Sequence, residues 1–262
     1  MIKQEKNGLS YYQFRLFQGD PHVIHAIFSR HGGVSPSVFK SLNVSSLAGD
    51  SLENVKNNIL RISQALGGYP ILTAKQVHGN KVLVFSKKQN DYTKQGKSIQ
   101  AVENEIEGDA IVTDQPGYLL LIKVADCQPV FIYDPVKRII GNIHVGWRGS
   151  VNGIVNQTIE TMKTLFNVKP STMKATIGPS LGPCCAEFVH YQTELPEPFW
   201  TFQDRKTYFN FWQITKNQLM LAGINEANIQ CANMCTKCHS DTFYSYRKEK
   251  QTGRFAGVIG LL

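Results

Sequence analysis

Residues 109–145, DAIVTDQPGYLLLIKVADCQPVFIYDPVKRIIGNIHV, decide the fold class. They contain the apolar runs AIVT, YLLLIKV, PVFIY and RIIGNIHV, whose length and content of Val, Ile, Leu and Tyr are typical of β-strands. Turn residues separate these runs at Gln115-Pro116-Gly117 and at Asp134-Pro135. Because such connections are too short for parallel crossovers, the segment predicts mixed or antiparallel pairing.

Helix patterns flank this strand-rich segment. Ser51 is a good N-cap, and apolar residues follow it at helical spacing until Gly67-Gly68 ends the pattern. The apolar positions of this helix are Leu52, Val55, Ile59, Ile62 and Leu66. Two more helices are predicted at 150–167 and 211–222.

The remaining apolar runs predict further strands. They lie at 12–17, 23–28, 71–77, 81–85, 228–232, 242–246 and 255–261, and the polar residues 87–107 are expected to form a surface excursion. Strands dominate, so the predicted fold is α+β, with mixed or antiparallel β-sheets covered by helices. No long low-complexity segment divides the chain, and we expect residues 1–262 to form a single domain.

The composition is that of a folded protein with reduced thiols. Apolar residues make up 42% of the 262 residues, which excludes a disordered or fibrous chain. The opening MIKQEKNGLSYYQF has no apolar run behind its polar start, and no stretch approaches the roughly 20 apolar residues of a membrane span. We therefore expect a cytoplasmic protein without a membrane segment, in which the six cysteines are reduced.

The net charge of +8 favours an anionic ligand. A nucleic-acid-binding protein gathers its basic residues in a stripe with aromatics between them. Here the 28 Lys and Arg residues are scattered, apart from small groups at Lys87-Lys88 and Arg247-Lys248. The sequence therefore argues against nucleic acid and favours a basic pocket for a small anion such as phosphate.

Three residues with metal-binding side chains occupy the ends of predicted strands. Cys127 follows the run LLLIKV in ADCQP, His144 ends the next long run in NIHVGWRG, and His78 lies at a turn in KQVHGN. Strand ends that open into turns bring side chains together at one pocket, and we expect His144 at its partly solvated mouth. Two imidazoles and a thiolate suit a three-ligand zinc site, whose fourth position stays open for water or substrate.

The same residues admit two other interpretations on pattern alone, because their spacing matches no short zinc-finger motif. Each histidine could be an ordinary core or turn residue. Alternatively, Cys127 and His144 could form a thiolate–imidazole pair in which the histidine activates a nucleophilic cysteine. Asp126 could then orient the imidazole.

The other cysteines suggest further interpretations. The segment from Cys235 to His239 matches the C-x-x-C-H pattern of covalent haem attachment, but that chemistry occurs outside the cytoplasm. A structural zinc could instead use Cys231, Cys235, Cys238 and His239. The vicinal pair Cys184-Cys185 is expected to be reduced and packed.

Six segments carry a resemblance that covers nearly the whole chain, from about residue 25 to the C terminus. They are SRHGGVSPSVFKSLNVS, KQVHGNKV, GDAIVTDQPGYLLLIKVADCQPVFIYDP, NIHVGWRGSV, IGPSLGPCC and CTKCHSDTFYSYRKEKQTGRFAGVIGL. In this order they resemble the YfiH/YlmD family, also called the laccase-domain or multicopper polyphenol oxidase family and, more recently, a group of purine nucleoside phosphorylases. Six blocks in order are far more specific than any single motif.

The resemblance implies an α+β fold related to that of bacterial toxin deamidases, with zinc held by His78, Cys127 and His144. It also implies phosphorolysis of adenosine, inosine, guanosine and 5′-methylthioadenosine, together with hydrolytic deamination of adenosine. Val124 and Val145 replace a threonine and an alanine common in the family, which could change the pocket shape without removing a ligand. The laccase name implies copper, which we discount because one His₂Cys site lacks the several copper centres of four-electron oxygen reduction.

Substrate contacts are expected from polar residues inside the family blocks. The guanidinium group suits phosphate because it binds two oxygens at once. The candidates are Arg30, Arg148 and Arg247, with Asn43 as a hydrogen-bonding partner. The predicted partners are therefore purine nucleosides and phosphate, and no obligate protein partner is evident. The competing functions are a Cys127/His144 thiol hydrolase, a copper-dependent polyphenol oxidase and a non-enzymatic binding module.

Overall fold

The computed structural model describes residues 1–86 and 106–262, so the predicted excursion at 87–107 lies largely outside the described residues. The strands are β1 (Ile2–Lys6), β2 (Leu9–Gln13), β3 (Val23–Phe28), β4 (Ile71–Leu72), β5 (Val82–Phe85), β6 (Ala110–Thr113), β7 (Tyr118–Val124), β8 (Gln128–Asp134), β9 (Ile139–Val145), β10 (Lys174–Ile177), β11 (Gln203–Arg205), β12 (Tyr208–Phe209), β13 (Ile229–Cys231) and β14 (Phe255–Leu261). The α-helices are α1 (Leu52–Ala65), α2 (Trp147–Val151), α3 (Ile154–Phe166), α4 (Tyr191–Glu194), α5 (Phe211–Leu221) and α6 (Tyr246–Glu249). Short 3-10 helices occupy Arg15–Phe17, Ser37–Phe39, Ser46–Ala48, Pro170–Thr172, Glu197–Phe202 and Glu226–Asn228.

Two mixed sheets of six strands each form the centre of the described structure. The first has the order β1-β2-β3-β14-β7-β4 and the second the order β13-β10-β8-β9-β6-β5. Pairs β4–β7, β5–β6 and β10–β13 are parallel, and the other pairs within the two sheets are antiparallel. The prediction of an α+β fold with mixed and antiparallel sheets is confirmed.

The two sheets pack face to face, and strand alternation decides which side chains meet. In β7, Leu120 and Ile122 belong to the core cluster that also contains Phe131 of the second sheet. Leu119 and Leu121 point the other way, into the cluster formed with α1. Each fully buried side chain of this kind stabilises the fold by roughly 1.5–3 kcal/mol.

Helices cover the outer face of each sheet, as predicted. Ser51 caps α1 by accepting a hydrogen bond from the backbone N–H of Asn54. The helix predicted at 150–167 is divided into α2 and α3, because Gly153 adopts a left-handed conformation with φ of +75°. Helices α3 and α5 cover the second sheet. None of the helices in the described ranges has the length and hydrophobicity needed to cross a bilayer.

Three predicted strands differ from the structure. The first ends at Gln13 instead of residue 17, because the backbone N–H of Phe14 donates to His25 Nε2 at 2.7 Å and a 3-10 helix follows. The strand predicted at 71–77 is only Ile71–Leu72. Beyond it, the side-chain amide of Gln76 donates to the carbonyl of Lys123 and accepts its backbone N–H, so a side chain takes the place of a paired strand. The prediction at 242–246 is wrong, because this segment is a turn leading into the N-cap of α6.

Candidate active site

His78, Cys127 and His144 come together at one end of the second sheet. Strands β8 and β9 form an antiparallel pair in which Pro129 lies opposite His144, so Cys127, just before β8, lies beside the end of β9. His78 approaches from the turn before β5, and its ring centroid is 4.7 Å from that of His144. Ligand atoms of the three side chains all lie within 4.8 Å of one another. Residues far apart in the chain thus form one compact donor set.

Asp109, directly before β6, organises this cluster. Its buried carboxylate lies 2.8 Å from His144 Nδ1 and accepts backbone N–H groups from Val77, His78 and Gly79 at 2.8–3.2 Å. His78 has a positive φ of 61°, which lets these successive N–H groups converge on one anion. A single side chain therefore positions both histidines.

The charge state of Asp109 determines which nitrogen His144 presents to the cluster. Burial raises the pKa of Asp109, but hydrogen bonds from His144 and from the backbone of Gly79 and Val77 bring it below its usual value. The carboxylate is therefore ionised at neutral pH and accepts a proton-bearing Nδ1. Nε2 of His144 is then available to the shared centre.

Cys127 and His144 stabilise each other's charged forms. Burial raises the pKa of the Cys127 thiol, but the charge and hydrogen bonds of His144 and His78 lower it overall. Burial lowers the pKa of His144, whereas Cys127 and Asp109 raise it overall. Each group therefore favours the charged form of the other, the thiolate of Cys127 and the imidazolium of His144.

The donor set and the space between its members suit a small tetrahedral cation. Two imidazoles and a thiolate are typical ligands of zinc sites that keep one position open. A Cβ atom added to Gly146 would lie 3.0 Å from His78 Cδ2 and 3.2 Å from Cys127 Sγ. A side chain at this position would therefore press on two of the three predicted ligands and displace them.

A cavity of about 590 Å³ opens from this cluster. Its walls include the aromatic side chains of Trp147, Phe188, Phe211 and Tyr246. Arg148, Arg247 and Arg254 also line it. A cavity of this size is typical of a small-molecule site, and its partly aromatic and partly cationic lining suits an anionic or aromatic ligand. His144 is only 3% exposed, so it forms part of the cavity floor rather than the solvated mouth predicted from sequence.

The predicted substrate contacts are divided between the cavity and the framework behind it. Arg148 and Arg247 line the cavity, and the guanidinium carbon of Arg148 is 4.2 Å from the centre of the Trp147 ring. Arg30 does not line it, because it is engaged by Glu249 at 2.8 Å and by the backbone carbonyls of Lys40 and Ser240.

Asn43 is fully buried behind the cavity wall and does not line it either. Its amide donates to the carbonyl of Ser45 and the carboxylate of Asp50, and its oxygen accepts the backbone N–H of Ser45 and Arg254. Because Ser45 and Arg254 do line the cavity, Asn43 supports the wall instead of offering a substrate contact.

The prediction that Asp126 orients the imidazole is corrected by the structure. Asp126 accepts hydrogen bonds from the hydroxyls of Thr236 and Ser245 and from the backbone N–H of Arg247, all at 2.6–2.7 Å. Asp109 orients His144 instead. Sequence reasoning missed Asp109, whose local signal is a charged residue between a glycine and the apolar run AIVT.

Arg254 is the second residue of the candidate site that sequence reasoning missed. It lies directly before the final strand, β14, and its Nη1 donates to the carbonyls of Thr252 and Gly253 at 3.0 Å. Burial lowers its pKa, which the nearby negative charges of Cys127 and Asp126 act to raise. A cation held this close to the thiolate is well placed to attract an anionic ligand into the cavity.

The chain thus combines an α+β fold of two packed six-stranded sheets with a His₂Cys cluster at one end of the second sheet. Residues 24–262 match the family described as multi-copper polyphenol oxidoreductase laccase, and the chain belongs to this family. This match, together with relatives named YlmD and YfiH, confirms the resemblance of the sequence to the YfiH/YlmD group.

Within this family, the chain is similar to several named proteins and solved structures. The chain is 29% identical over 252 residues to the purine nucleoside phosphorylase YlmD of Geobacillus stearothermophilus, covering 91% of this chain and 90% of that protein. It is 34% identical to a purine nucleoside phosphorylase of Deinococcus radiodurans, covering 91% and 89%. The crystal structure of YlmD from Geobacillus stearothermophilus superposes with a TM-score of 0.84 at 27% identity, covering 98% of this chain and 97% of that one. The crystal structure of a hypothetical protein, YfiH of Bacillus licheniformis, shares the fold, with a TM-score of 0.85 at 23% identity and 99% of each chain covered.

Proposed function

We propose that this chain is a zinc-dependent purine nucleoside phosphorylase whose reaction takes place in the cavity above His78, Cys127 and His144. The observation that carries the proposal is the junction of a His₂Cys cluster with a cavity lined by three arginines and four aromatic rings. The names of the related proteins support it. We also propose that residues 1–262 act as one domain.

The three ligands would hold the ion through Cys127 Sγ, His144 Nε2 and one nitrogen of His78. When bound, zinc supplies a Lewis acid that polarises an oxygen or nitrogen atom brought to it. The protein holds the three ligand side chains in fixed positions and orientations. Asp109 fixes the His144 ring, and the N–H groups of the His78 turn close on the same carboxylate.

Phosphorolysis transfers the ribosyl group from the purine to phosphate. An oxygen of phosphate bonds to C1′ as the C1′–N9 bond breaks, and the bonding electron pair leaves with the purine, which gains a proton. Arg148, Arg247 and Arg254 can hold the phosphate by charge-assisted hydrogen bonds. The aromatic wall, including Phe188 and Tyr246, can stack on the purine ring. The residues thus position two reactants and neutralise the charge that develops between them.

The proposed substrates are adenosine, inosine, guanosine and 5′-methylthioadenosine, with hydrolytic deamination of adenosine as a second activity. Purified protein should convert inosine and phosphate to hypoxanthine and ribose 1-phosphate, and a chelator should abolish this until zinc is restored. Base release at an equal rate without phosphate, yielding free ribose, would identify a nucleoside hydrolase instead. Inosine and ammonia formed from adenosine in phosphate-free buffer would identify the deaminase.

The thiolate–imidazolium character of Cys127 and His144 favours one competing function, a metal-independent thiol hydrolase. Metal dependence separates the two. A phosphorylase of the proposed kind loses activity to a chelator, whereas a thiol hydrolase keeps it and is inactivated by iodoacetamide at Cys127. His₂Cys donor sets accept either zinc or copper, so the ligands alone do not decide between a phosphorylase and a polyphenol oxidase. Metal analysis of protein purified without added metal identifies the bound ion and separates these two functions.

A further inference from the structure

Four cysteines from two distant segments meet beside the cavity. Cys184 and Cys185 lie in the turn that follows β10, and Cys235 and Cys238 lie in the turn that follows β13. Their sulfur atoms all lie within 4.8 Å of one another, and all four are free thiols. The sequence predicted a different set, in which Cys231 and His239 joined the second pair. The structure brings the vicinal pair there instead, and Cys184 and Cys238 are exposed rather than packed.

The spacing of the sulfurs is that of a tetrahedral thiolate site. Cys238 Sγ is 3.7 Å from both Cys184 Sγ and Cys185 Sγ. With zinc–sulfur bonds of about 2.3 Å, the edges of a ZnS₄ tetrahedron are about 3.8 Å. A disulfide would join only two of the four sulfurs, at about 2.05 Å. Four converging sulfurs at this separation therefore favour a shared ion.

The backbone around the cluster is built to hold it. Ser180 and Cys235 form a parallel bridge between the two segments, strengthened by the N–H of Thr236 donating to the carbonyl of Ser180. Burial raises the pKa of the Cys235 thiol, but hydrogen bonds from the backbone of Gly182 and Cys238 help to lower it overall. Such N–H···S bonds stabilise a metal-bound thiolate and orient it, as outer-shell partners do in other metal sites.

Two arginines offset the negative charge that a tetrathiolate zinc centre carries. Arg205 donates to the carbonyl of Cys184 at 3.1 Å, and Arg247 donates to the carbonyl of Cys185 at 3.5 Å. The surroundings of Cys184 and Cys185 are thus cationic. Positive charge of this kind would stabilise four thiolates around an ion, whereas four neutral thiols would not need it.

We propose that Cys184, Cys185, Cys235 and Cys238 bind a second zinc ion, which has a structural role and is separate from the ion proposed at His78, Cys127 and His144. The second site fixes one wall of the cavity. Thr236, between the two C-terminal cysteines, donates to Asp126, and Arg247 contacts both Asp126 and the Cys185 carbonyl. Asp126 and Arg247 line the cavity, so the ion would hold together the two cysteine segments to which these wall residues are hydrogen-bonded.

The test measures zinc per chain in protein purified with a reductant and without added metal. We expect about two zinc ions in the wild type and about one in Cys238→Ser and in Cys127→Ala, because each variant loses a ligand of a different site. Cys231→Ser is the matched control. This thiol lies in β13 outside both clusters, and the variant should keep about two.

The outcomes separate the two sites. One zinc that is lost in Cys127→Ala and kept in Cys238→Ser would overturn the second site and leave the proposed function intact. One zinc that is lost in Cys238→Ser and kept in Cys127→Ala would support the second site and overturn the ligand assignment of the proposed function. Iron in place of zinc, or a disulfide among the four cysteines in denatured thiol titration, would overturn the second site.

A spectroscopic measurement tests the ligands directly, so the proposal does not depend on whether Cys238→Ser folds. Cobalt exchanged into Cys127→Ala should report a tetrahedral ion with four sulfur ligands, through intense thiolate-to-cobalt charge-transfer bands. Wild-type protein should show the same bands with a weaker contribution from the single thiolate of Cys127. A spectrum of at most one thiolate per cobalt in both proteins would overturn the proposal.

Discussion

Oδ1 of Asp109 lies 2.8 Å from Nδ1 of His144, in a part of the site where neither side chain is exposed to solvent by more than a few per cent. The same oxygen accepts the backbone N–H of His78 at 2.9 Å. One carboxylate thereby sets the tautomer of one imidazole and the position of the turn that carries the other. The left-handed backbone of His78 is sparsely populated by non-glycine residues, and this anion compensates for it. The candidate site thus depends on a residue outside the donor set.

Asp109→Asn should weaken zinc binding by about 10- to 100-fold, the usual cost of losing an outer-shell partner. The amide is a poorer acceptor for His144 Nδ1, and its NH₂ group would face the N–H groups of the His78 turn. We therefore also expect a loss of stability of about 1–3 kcal/mol. Competition with a chromophoric chelator measures the zinc affinity, and urea denaturation measures the stability.

Asp126→Asn is the matched control for this substitution. Its carboxylate is adjacent to Cys127 in sequence but bonds Thr236, Ser245 and Arg247 rather than either histidine. The affinity at the His₂Cys site should therefore stay close to that of the wild type. Equal losses in the two variants would mean that Asp109 has no special role in orienting the ligands.

Gly146→Ala should lower zinc affinity by about 10-fold with little effect on folding. The backbone φ of −83° suits alanine, but the new Cβ would lie 3.0 Å from His78 Cδ2 and 3.2 Å from Cys127 Sγ. Because His78 is exposed, it can move away, which separates the ligands. Zinc titration followed by a thermal melt of the metal-free protein checks both halves of the prediction.

Gly141→Ala provides the control for the methyl group itself. It lies in β9, where the added Cβ would meet its nearest neighbours at 3.6 Å, an ordinary contact. Zinc affinity should be unchanged there. A wild-type affinity in Gly146→Ala would show that the space among the three side chains is not needed for the ion.

The strand-rich segment could be read from sequence because its signals are local. Alternating and continuous apolar runs between Gln115-Pro116-Gly117 and Asp134-Pro135 are enough to predict β7 and β8. The positions of His78, Cys127 and His144 at strand ends suggested that they converge, and the resemblance to the YfiH/YlmD family selected this interpretation among those that the pattern left open. Their roles as ligands stay a prediction, whereas their proximity is a property of the fold.

Asp109 and Arg254 could not be identified in the same way, because their partners are distant in the chain. The carboxylate of Asp109 bonds residues more than thirty positions away on both sides. The backbone of Arg254 is positioned by Asn43 across a separation of 211 residues. Hydrogen bonds of this kind leave no periodic pattern, so they appear only when the sheets are assembled.

Arg254→Lys should raise the KM for phosphate by about 10-fold or more if the chain is the proposed phosphorylase. A lysine keeps the charge but cannot bind two phosphate oxygens at once, and a lost hydrogen bond to a charged group costs about 1.5–3 kcal/mol. Initial rates against phosphate at saturating inosine give the value. Arg61→Lys is the control, because Arg61 bonds the carbonyl of Gly32 and does not line the cavity. A change confined to the KM for inosine would place Arg254 against the nucleoside instead.

The stability of the protein should fall below about pH 6.5 through the titration of His25. This imidazole is 2% exposed, packs against Phe14, Phe17 and Phe131, and accepts the backbone N–H of Phe14 at Nε2. Burial lowers its pKa from 6.5 to about 4, so the folded state favours the neutral ring. Because the folded pKa lies below the unfolded one, the contribution of His25 is fully present above pH 6.5 and is lost as the pH falls through 4.

Within that window the slope for a single proton is at most about 1.4 kcal/mol per pH unit. His25→Gln isolates this effect from the titration of the metal ligands, because its amide oxygen can accept the Phe14 N–H but does not titrate. Free energies of unfolding in urea, measured from pH 7 to 5 with a chelator present, should converge for the two proteins as the pH falls. The wild type is expected to be more stable at pH 7 and to lose that advantage progressively. Parallel curves over this range would show that His25 is already protonated in the folded protein or is equally neutral in both states.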